Sequence, residues 1–332
     1  MVLYNLDTVP PAYDEHAWAD YIEMLCLVDP DRFVSRADVA DRIRERKDVG
    51  ELTAEPGVDG DPVAAPEDLA REDFEEPELD DARAERLDGW FRHLVFRAGV
   101  VGEAYPFIVD AGGRSVERRA ELTELQRLYV FLLLCSSLRY VRRHHPLTTG
   151  FEQLGLEGMR RMLPDGSDLY IFGKGGPVER YTGTLWEKMG QLADDLKSIR
   201  TAERRDFPDT DTGDGGLDLV GWVPHPDELP SRLVLFAQCA CTENWVAKQA
   251  TSGFTQWVNR IKFLAPPANM VFIPFLYRAA DGRWHKEDTI RQSILIDRLR
   301  LLRLLTGSPA AVVPAGAVAT VDGALATEEP VF

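Results

Sequence analysis

Trp18, Tyr21, Ile22, Leu25 and Cys26 fall three and four residues apart, the spacing of one helix face, and predict a helix early in the stretch 12–48. Ser35 to Lys47 predicts a second helix, with Ser35 as its cap and Ala37, Val39 and Ile43 turned inward. Helical periodicity resumes over Arg83–Val100 and over Thr123–Arg143, where Leu128, Phe131, Leu132, Cys135 and Leu138 fill one side and Pro146 blocks continuation. Residues 1–148 thus read as an all-α domain. The pattern then changes. Gly150–Leu163 predicts a helix, Leu169–Phe172 a strand and Trp186–Arg200 a helix. Leu217–Trp222 and Arg232–Gln238 predict strands joined by the turn-rich Pro224–Pro230. Asn244–Phe263 follows as a helix, Met270–Phe275 as a strand and Asp288–Leu305 as a last helix. Strands alternating with helices predict a mixed α/β sheet with covered faces over 149–306. The Ala-, Val- and Gly-rich residues 307–332 read as a flexible tail.

Between the first helices lies 49–82, acidic and rich in Pro, Gly and Ala, which reads as a solvated, mobile loop. It changes how the charge is understood. A net charge of −17 argues against a nucleic-acid partner, yet residues 51–90 alone hold 15 Asp/Glu against 3 Lys/Arg. Residues 151–332 hold 24 against 20, so the acidity does not fall on the α/β region. Only 7 of the 38 basic residues are lysine, which fits a GC-rich or a salt-adapted source, and in high salt a basic patch is a poor marker of phosphate binding.

No apolar run is long enough to span a bilayer: Leu128–Leu138 is too short, and Asp7, Asp14 and Glu15 precede any leader-like segment. The expectation is a cytoplasmic protein with no membrane partner. Four cysteines make no disulfide framework. Cys26 and Cys135 fall in core patterns. Cys239 and Cys241 lack the two further ligands a zinc site needs, and His144 and His145 stand at no ligand spacing from them. A thiol redox pair at Cys239 and Cys241 stays open, although that spacing gives poor disulfide geometry.

The chemistry concentrates in Asp211-Thr-Gly-Asp-Gly-Gly-Leu-Asp-Leu-Val-Gly-Trp222. Consecutive glycines permit a sharp turn with positive φ, and a strand follows at once with Asp218 at its start. The apolar run Leu233-Val-Leu-Phe-Ala-Gln-Cys239 suits a strand buried on both faces and brings Gln238 to its end. Two adjacent strands, one with an aspartate and the next ending on a carboxylate or amide oxygen, can share a Mg²⁺ ion, which prefers hard oxygen ligands. Other patterns fail. A calcium loop from Asp209 would end on Val220 rather than Glu. Gly173-Lys-Gly175-Gly176 lacks both the Lys-Ser/Thr of a phosphate loop and the third glycine of a dinucleotide motif. No Gly-x-Ser-x-Gly elbow occurs. Arg298, Arg300 and Arg303 form a stripe that either faces DNA or is simply solvated.

Gly216-Leu-Asp218-Leu-Val followed by Leu235-Phe-Ala-Gln238-Cys-Ala240 resembles the core of the PD-(D/E)xK nuclease superfamily over roughly residues 150–280. The Phe151–Glu152 helix and the Leu169–Phe172 strand stand where that fold's leading helix and strand would stand. The resemblance implies a restriction-endonuclease-like core, with Asp218 as the metal-binding aspartate and Gln238 at the (D/E) position. The lysine implied two residues on is Ala240 here, and Lys248 on the next helix becomes its replacement. Glu152 (or Glu157) is a further carboxylate ligand, with Asp214 assisting. The implied activity is a Mg²⁺- or Mn²⁺-dependent DNA endonuclease of a prokaryotic defence or restriction-like system, with DNA and a partner protein of a defence complex as partners. The alternative is a catalytically silent nuclease-like module that binds nucleic acid or scaffolds a complex. Structural roles stay open for each residue: Asp218 closing a glycine turn, Gln238 satisfying a strand end, Lys248 solvated, Glu152 favoured by the helix dipole.

Overall fold

The computed structural model describes residues 2–10, 14–45, 76–173, 179–227 and 229–328. Most of the acidic stretch and the Lys174–Val178 part of the glycine-rich turn lie outside the described residues. The chain forms two compact units. One comprises 1–143, 275–285 and 319–332; the other comprises 144–274 and 286–318.

The first unit holds α1 (Glu15–Val28), β1 (Phe33–Ser35), α2 (Arg36–Glu45), α3 (Glu76–Val101), β2 (Phe107–Val109), β3 (Ser115–Arg118) and α4 (Glu124–Ser136). It is not all-α: β3 pairs antiparallel with both β1 and β2 in a three-stranded sheet. Strands of three or four residues offer too few positions for an alternation to register in the sequence. Helix α3 starts at Glu76, so the acidic loop read over 49–82 ends earlier than its composition suggests. Ser35 and Asp38 cap α2 reciprocally: Asp38 N donates to Ser35 Oγ (3.2 Å) and Ser35 N to Asp38 Oδ2 (2.7 Å). Every residue of α1 from Trp18 to Val28 is buried, and Trp18 stacks on Trp90 at 3.7 Å. Arg97 of α3, fully buried, pairs with Asp20 (2.6 Å) and Glu23 (2.9 Å) of α1 and donates to His16 O (2.7 Å). His16 lies edge-on to Tyr277 (5.2 Å) and His285 (4.8 Å), and burial above all pushes its pKa down to about 3.

The second unit opens with α5 (His145–Met162). Pro146 sits in its first turn, where a missing N–H costs nothing, so this proline starts a helix rather than only ending the preceding one. There follow β4 (Asp168–Ile171), α6 (Leu185–Asp195), β5 (Leu219–Trp222), β6 (Val234–Cys239), α7 (Trp245–Lys248), α8 (Phe254–Trp257), β7 (Ala268–Phe272), β8 (Ile294–Ile296) and α9 (Arg298–Leu305). The sheet runs β4-β5-β6-β7-β8, antiparallel through β4, β5 and β6 and parallel through β6, β7 and β8. This is the expected mixed α/β sheet with helices on its faces. On one face α5 comes close because it has glycines there. A Cβ on Gly155 would stand 2.9 Å from Cys239 Sγ, and one on Gly158 3.1 Å from Phe272. On the other, Val220, Trp222, Val234 and Phe236 bury against Leu185, Met189 and Leu192 of α6 and against Trp257.

Two predicted helices differ. Asn244–Phe263 is two short turns, α7 and α8, separated around Thr251–Gly253, where Thr251 bonds Gln238 and Lys248 O and Ser252 bonds Asn269 rather than extending a helix. Asp288–Leu305 holds strand β8 before α9, which Asp297 caps by accepting from Arg300 N. The tail is ordered as α10 (Val318–Leu325), with Val321 and Ala324 fully buried. Its small apolar residues, unremarkable in composition, are what a close-packed helix face needs.

Candidate functional site

Asp218 stands at the head of β5, and Gln238 lies in β6, the neighbouring strand. The Gly215–Gly216 turn before Asp218 uses φ of +65° and +82°, as consecutive glycines permit. The turn is held from outside. The buried Lys188 of α6 donates from Nζ to Thr212 O (2.9 Å) and Gly213 O (3.0 Å), and Arg260 donates to Gly215 O (2.8 Å). Asp214 Oδ1 accepts from Gly216 N (2.7 Å), closing the turn on itself.

Asp218 and Gln238 are both buried and directly bonded. Gln238 Nε2 and the Cys239 backbone N–H each donate to Asp218 Oδ2 at 2.6 Å. Gln238 Oε1 accepts from Thr251 Oγ1 (3.1 Å), and Thr251 Oγ1 also donates to Lys248 O (2.8 Å). This chain of contacts ties the α7–α8 segment to the strand pair. Burial raises the Asp218 carboxyl to about 7; Asp214 adds to the rise, while the Cys239 N–H and the Lys248 charge oppose it. Glu152, partly buried on α5, is raised to about 8 by burial and then by the charges of Asp218 and Asp214. Asp214 thus hinders ionisation of Asp218, and both hinder ionisation of Glu152.

The positions implied by the sequence sort as follows. Asp218 and Gln238 touch; Asp214 acts on Asp218 through charge, and both act on Glu152; Lys248 is near enough to favour the ionised Asp218. Glu157 instead pairs with Arg160 and Arg161, each at 3.2 Å. Ala240 is wholly buried. Thr251, Lys188 and Arg260 were not legible in the sequence: a threonine between helical turns and two isolated cations carry no local pattern that separates them from ordinary surface residues. Cys239 and Cys241 are free thiols, and burial pushes the Cys239 thiol far up, which disfavours the thiolate a redox pair needs.

For a divalent cation, the carboxylates of Asp218, Asp214 and Glu152 and the amide oxygen of Gln238 are donors of the right hardness. As the side chains stand, Gln238 turns its amide nitrogen, not its oxygen, to Asp218. Among the described residues no three His, Cys, Asp or Glu side chains converge as a ready metal-holding group. A cation here would take the place of the protons that the raised carboxyls hold, and the Gln238 amide would turn over. No helix among the described residues is long and apolar enough to cross a membrane. Comparison with protein-family models, with curated proteins and with solved structures returns no match for this chain.

Proposed function

We propose that the second unit is a nuclease-like module of the PD-(D/E)xK type and that its site hydrolyses phosphodiesters in DNA with Mg²⁺ or Mn²⁺. The observation that carries this reading is one buried acid, Asp218, in electrostatic reach of two half-buried ones, Glu152 and Asp214, at one end of an antiparallel strand pair. Asp218 heads one strand, Gln238 is bonded to it from the next, Asp214 bears on the Asp218 carboxyl, and both bear on Glu152. In support, the helix, leading strand, aspartate strand and amide strand come in the chain order α5, β4, β5 and β6, with α6 inserted between β4 and β5, and β5 lies between its two neighbours in the sheet.

Asp218, Glu152, Asp214 and a turned Gln238 would hold the cation. When bound, it polarises the phosphate and lowers the pKa of the attacking water. The chain's own groups do the rest. Lys188 and Arg260 fix the turn that presents Asp214 and Asp218. Thr251, which now donates to the Gln238 amide oxygen, would accept from its nitrogen once the amide has turned. Lys248 brings the positive charge that the strand lacks at Ala240, offsetting negative charge that builds on the phosphate. A setting in prokaryotic defence or restriction, with DNA and a partner protein, belongs to the same reading.

A second reading has its own support. Ala240 replaces the strand lysine, and Gln238 acts as a donor, so the module would bind nucleic acid or scaffold a complex without cutting. Plasmid cleavage with Mg²⁺ and with Mn²⁺ separates the two. Wild type should nick or linearise supercoiled DNA, Asp218→Ala should abolish this, and Lys248→Ala should slow it by about 10²-fold or more, the scale of an electrostatic stabiliser. If wild type cuts nothing, and calorimetry detects no Mg²⁺ or Mn²⁺ binding that depends on Asp218, the silent module is the correct description.

A further inference from the structure

Away from Asp218 and Gln238, the second unit contains a cavity of about 730 Å³ between the α7–α8 segment and the starts of β7 and β8. That volume falls in the range of small-molecule sites, about 300–1,000 Å³. Its walls include Val246, Phe254, Asn269, Arg291, Gln292 and Ile294. They are pre-set by an internal hydrogen-bond network. Asn269 Nδ2 donates to Gln249 O (2.8 Å), and Ser252 Oγ donates to Asn269 Oδ1 (2.8 Å). Gln249 Oε1 accepts from Arg291 N (2.9 Å) and Ser293 Oγ (2.6 Å), while its Nε2 donates to Thr289 O (2.8 Å). Gln292 is held at a φ of +50°, a conformation most side chains avoid.

The lining is chemically selective. In a chain with 55 acidic residues, no carboxylate among the described residues lines this cavity, and Arg291 is the one charged residue of the described lining. Arg291 is exposed and makes no ion pair among the described residues. Phe254 and Ile294 leave 37% and 43% of their surface open, a large apolar exposure within the cavity's lining. An unpaired guanidinium matches a phosphate in fork geometry, an exposed phenyl ring stacks a base, and the Gln292 amide and Thr255 hydroxyl, outside the internal network, suit a base edge.

We propose that this cavity binds a nucleoside monophosphate, with the base against Phe254 and Ile294 and the phosphate on Arg291, either as a free nucleotide or as the phosphorylated end of a strand. The site stands without the nuclease reading, because it uses none of the acid cluster.

Calorimetry of the full-length protein with adenosine 5′-monophosphate, in the absence of divalent metal, tests this. One saturable site is expected, with affinity at least tenfold weaker in Arg291→Glu and in Phe254→Ala and unchanged in Asp218→Ala. Adenosine should bind at least tenfold more weakly, and inorganic phosphate alone should give no measurable heat. Urea midpoints matching wild type would show that the two variants are folded. A 5′-phosphorylated single-stranded oligonucleotide that displaces the mononucleotide assigns the site to strand ends; failure to displace it assigns the site to free nucleotides. No saturable binding to wild type, or binding indifferent to both the Arg291 and the Phe254 substitution, would overturn the proposal, whatever the plasmid assay gives.

Discussion

Gly216→Ala probes the turn that presents Asp218. Two costs act at this position. The residue has a φ of +82°, which costs an L-residue about 1–3 kcal/mol. A Cβ there would also stand 2.5 Å from Thr251 Cβ and 3.4 Å from Thr251 Cα, atoms that cannot swing aside as a long side chain would. Overpacking of that kind costs about 1–3 kcal/mol more. The substitution should therefore destabilise the protein by about 2–6 kcal/mol in urea unfolding, and it should disturb the Thr251–Gln238 hydrogen bond, reducing any activity of the site as well. Thr251→Gly removes the obstructing Cβ and also the hydroxyl that bonds Gln238. In the double variant the steric part vanishes, so the two changes should couple favourably by about 1–3 kcal/mol, well beyond the additivity error of about 0.3–0.5 kcal/mol. Simple additivity within that error would refute the close approach of Gly216 to Thr251 and, with it, the account of how the α7–α8 segment is held to the site.

Other outcomes follow from the first unit. Arg97→Met leaves Asp20 and Glu23 buried without their cation and should cost about 3–5 kcal/mol; a calorimetric Tm unchanged within a degree or two would contradict that network. His16 is neutral in the fold, with its pKa lowered to about 3 against an ordinary value of 6.5. Below pH 6.5 the unfolded chain takes up a proton that the folded chain refuses, so stability falls as pH drops from 6.5 toward 3, by about 2 kcal/mol at pH 5. Urea unfolding of wild type and His16→Gln at pH 5 and pH 7.5 checks this, since the variant should lack that part of the acid loss.

Much of the second unit was legible from its residues. The runs at Leu169, Leu217 and Arg232 became β4, β5 and β6 with ends shifted by about two residues, because apolar runs between turn residues fix where buried strands lie. The adjacency of Asp218 and Gln238 followed from the glycine turn and the short connection between their strands. Elements whose stability comes from tertiary contact were not legible. β8 is three residues long, and α10 is built of small residues whose packing only the folded partners reveal. The helix read through Asn244–Phe263 failed because Thr251 and Ser252 satisfy their polar groups on distant residues, Gln238 and Asn269. The same holds for Lys188, whose role depends on carbonyls 24 and 25 positions away.

Residues 275–285 and 319–332 belong to the first unit although the second unit's chain lies before and between them. Phe275, Tyr277 and His285 surround His16, and Asp322 pairs with Arg127. During synthesis the ribosome therefore delivers 143 residues that cannot finish folding until most of the remaining chain has emerged. The order of assembly is inverted relative to beads on a string: the later-made unit can close first, and the earlier one waits for its last strap. A fragment ending at Arg143 would lack the aromatic cover of His16, so limited proteolysis and gene dissection would have to spare both returning segments to yield a folded first unit.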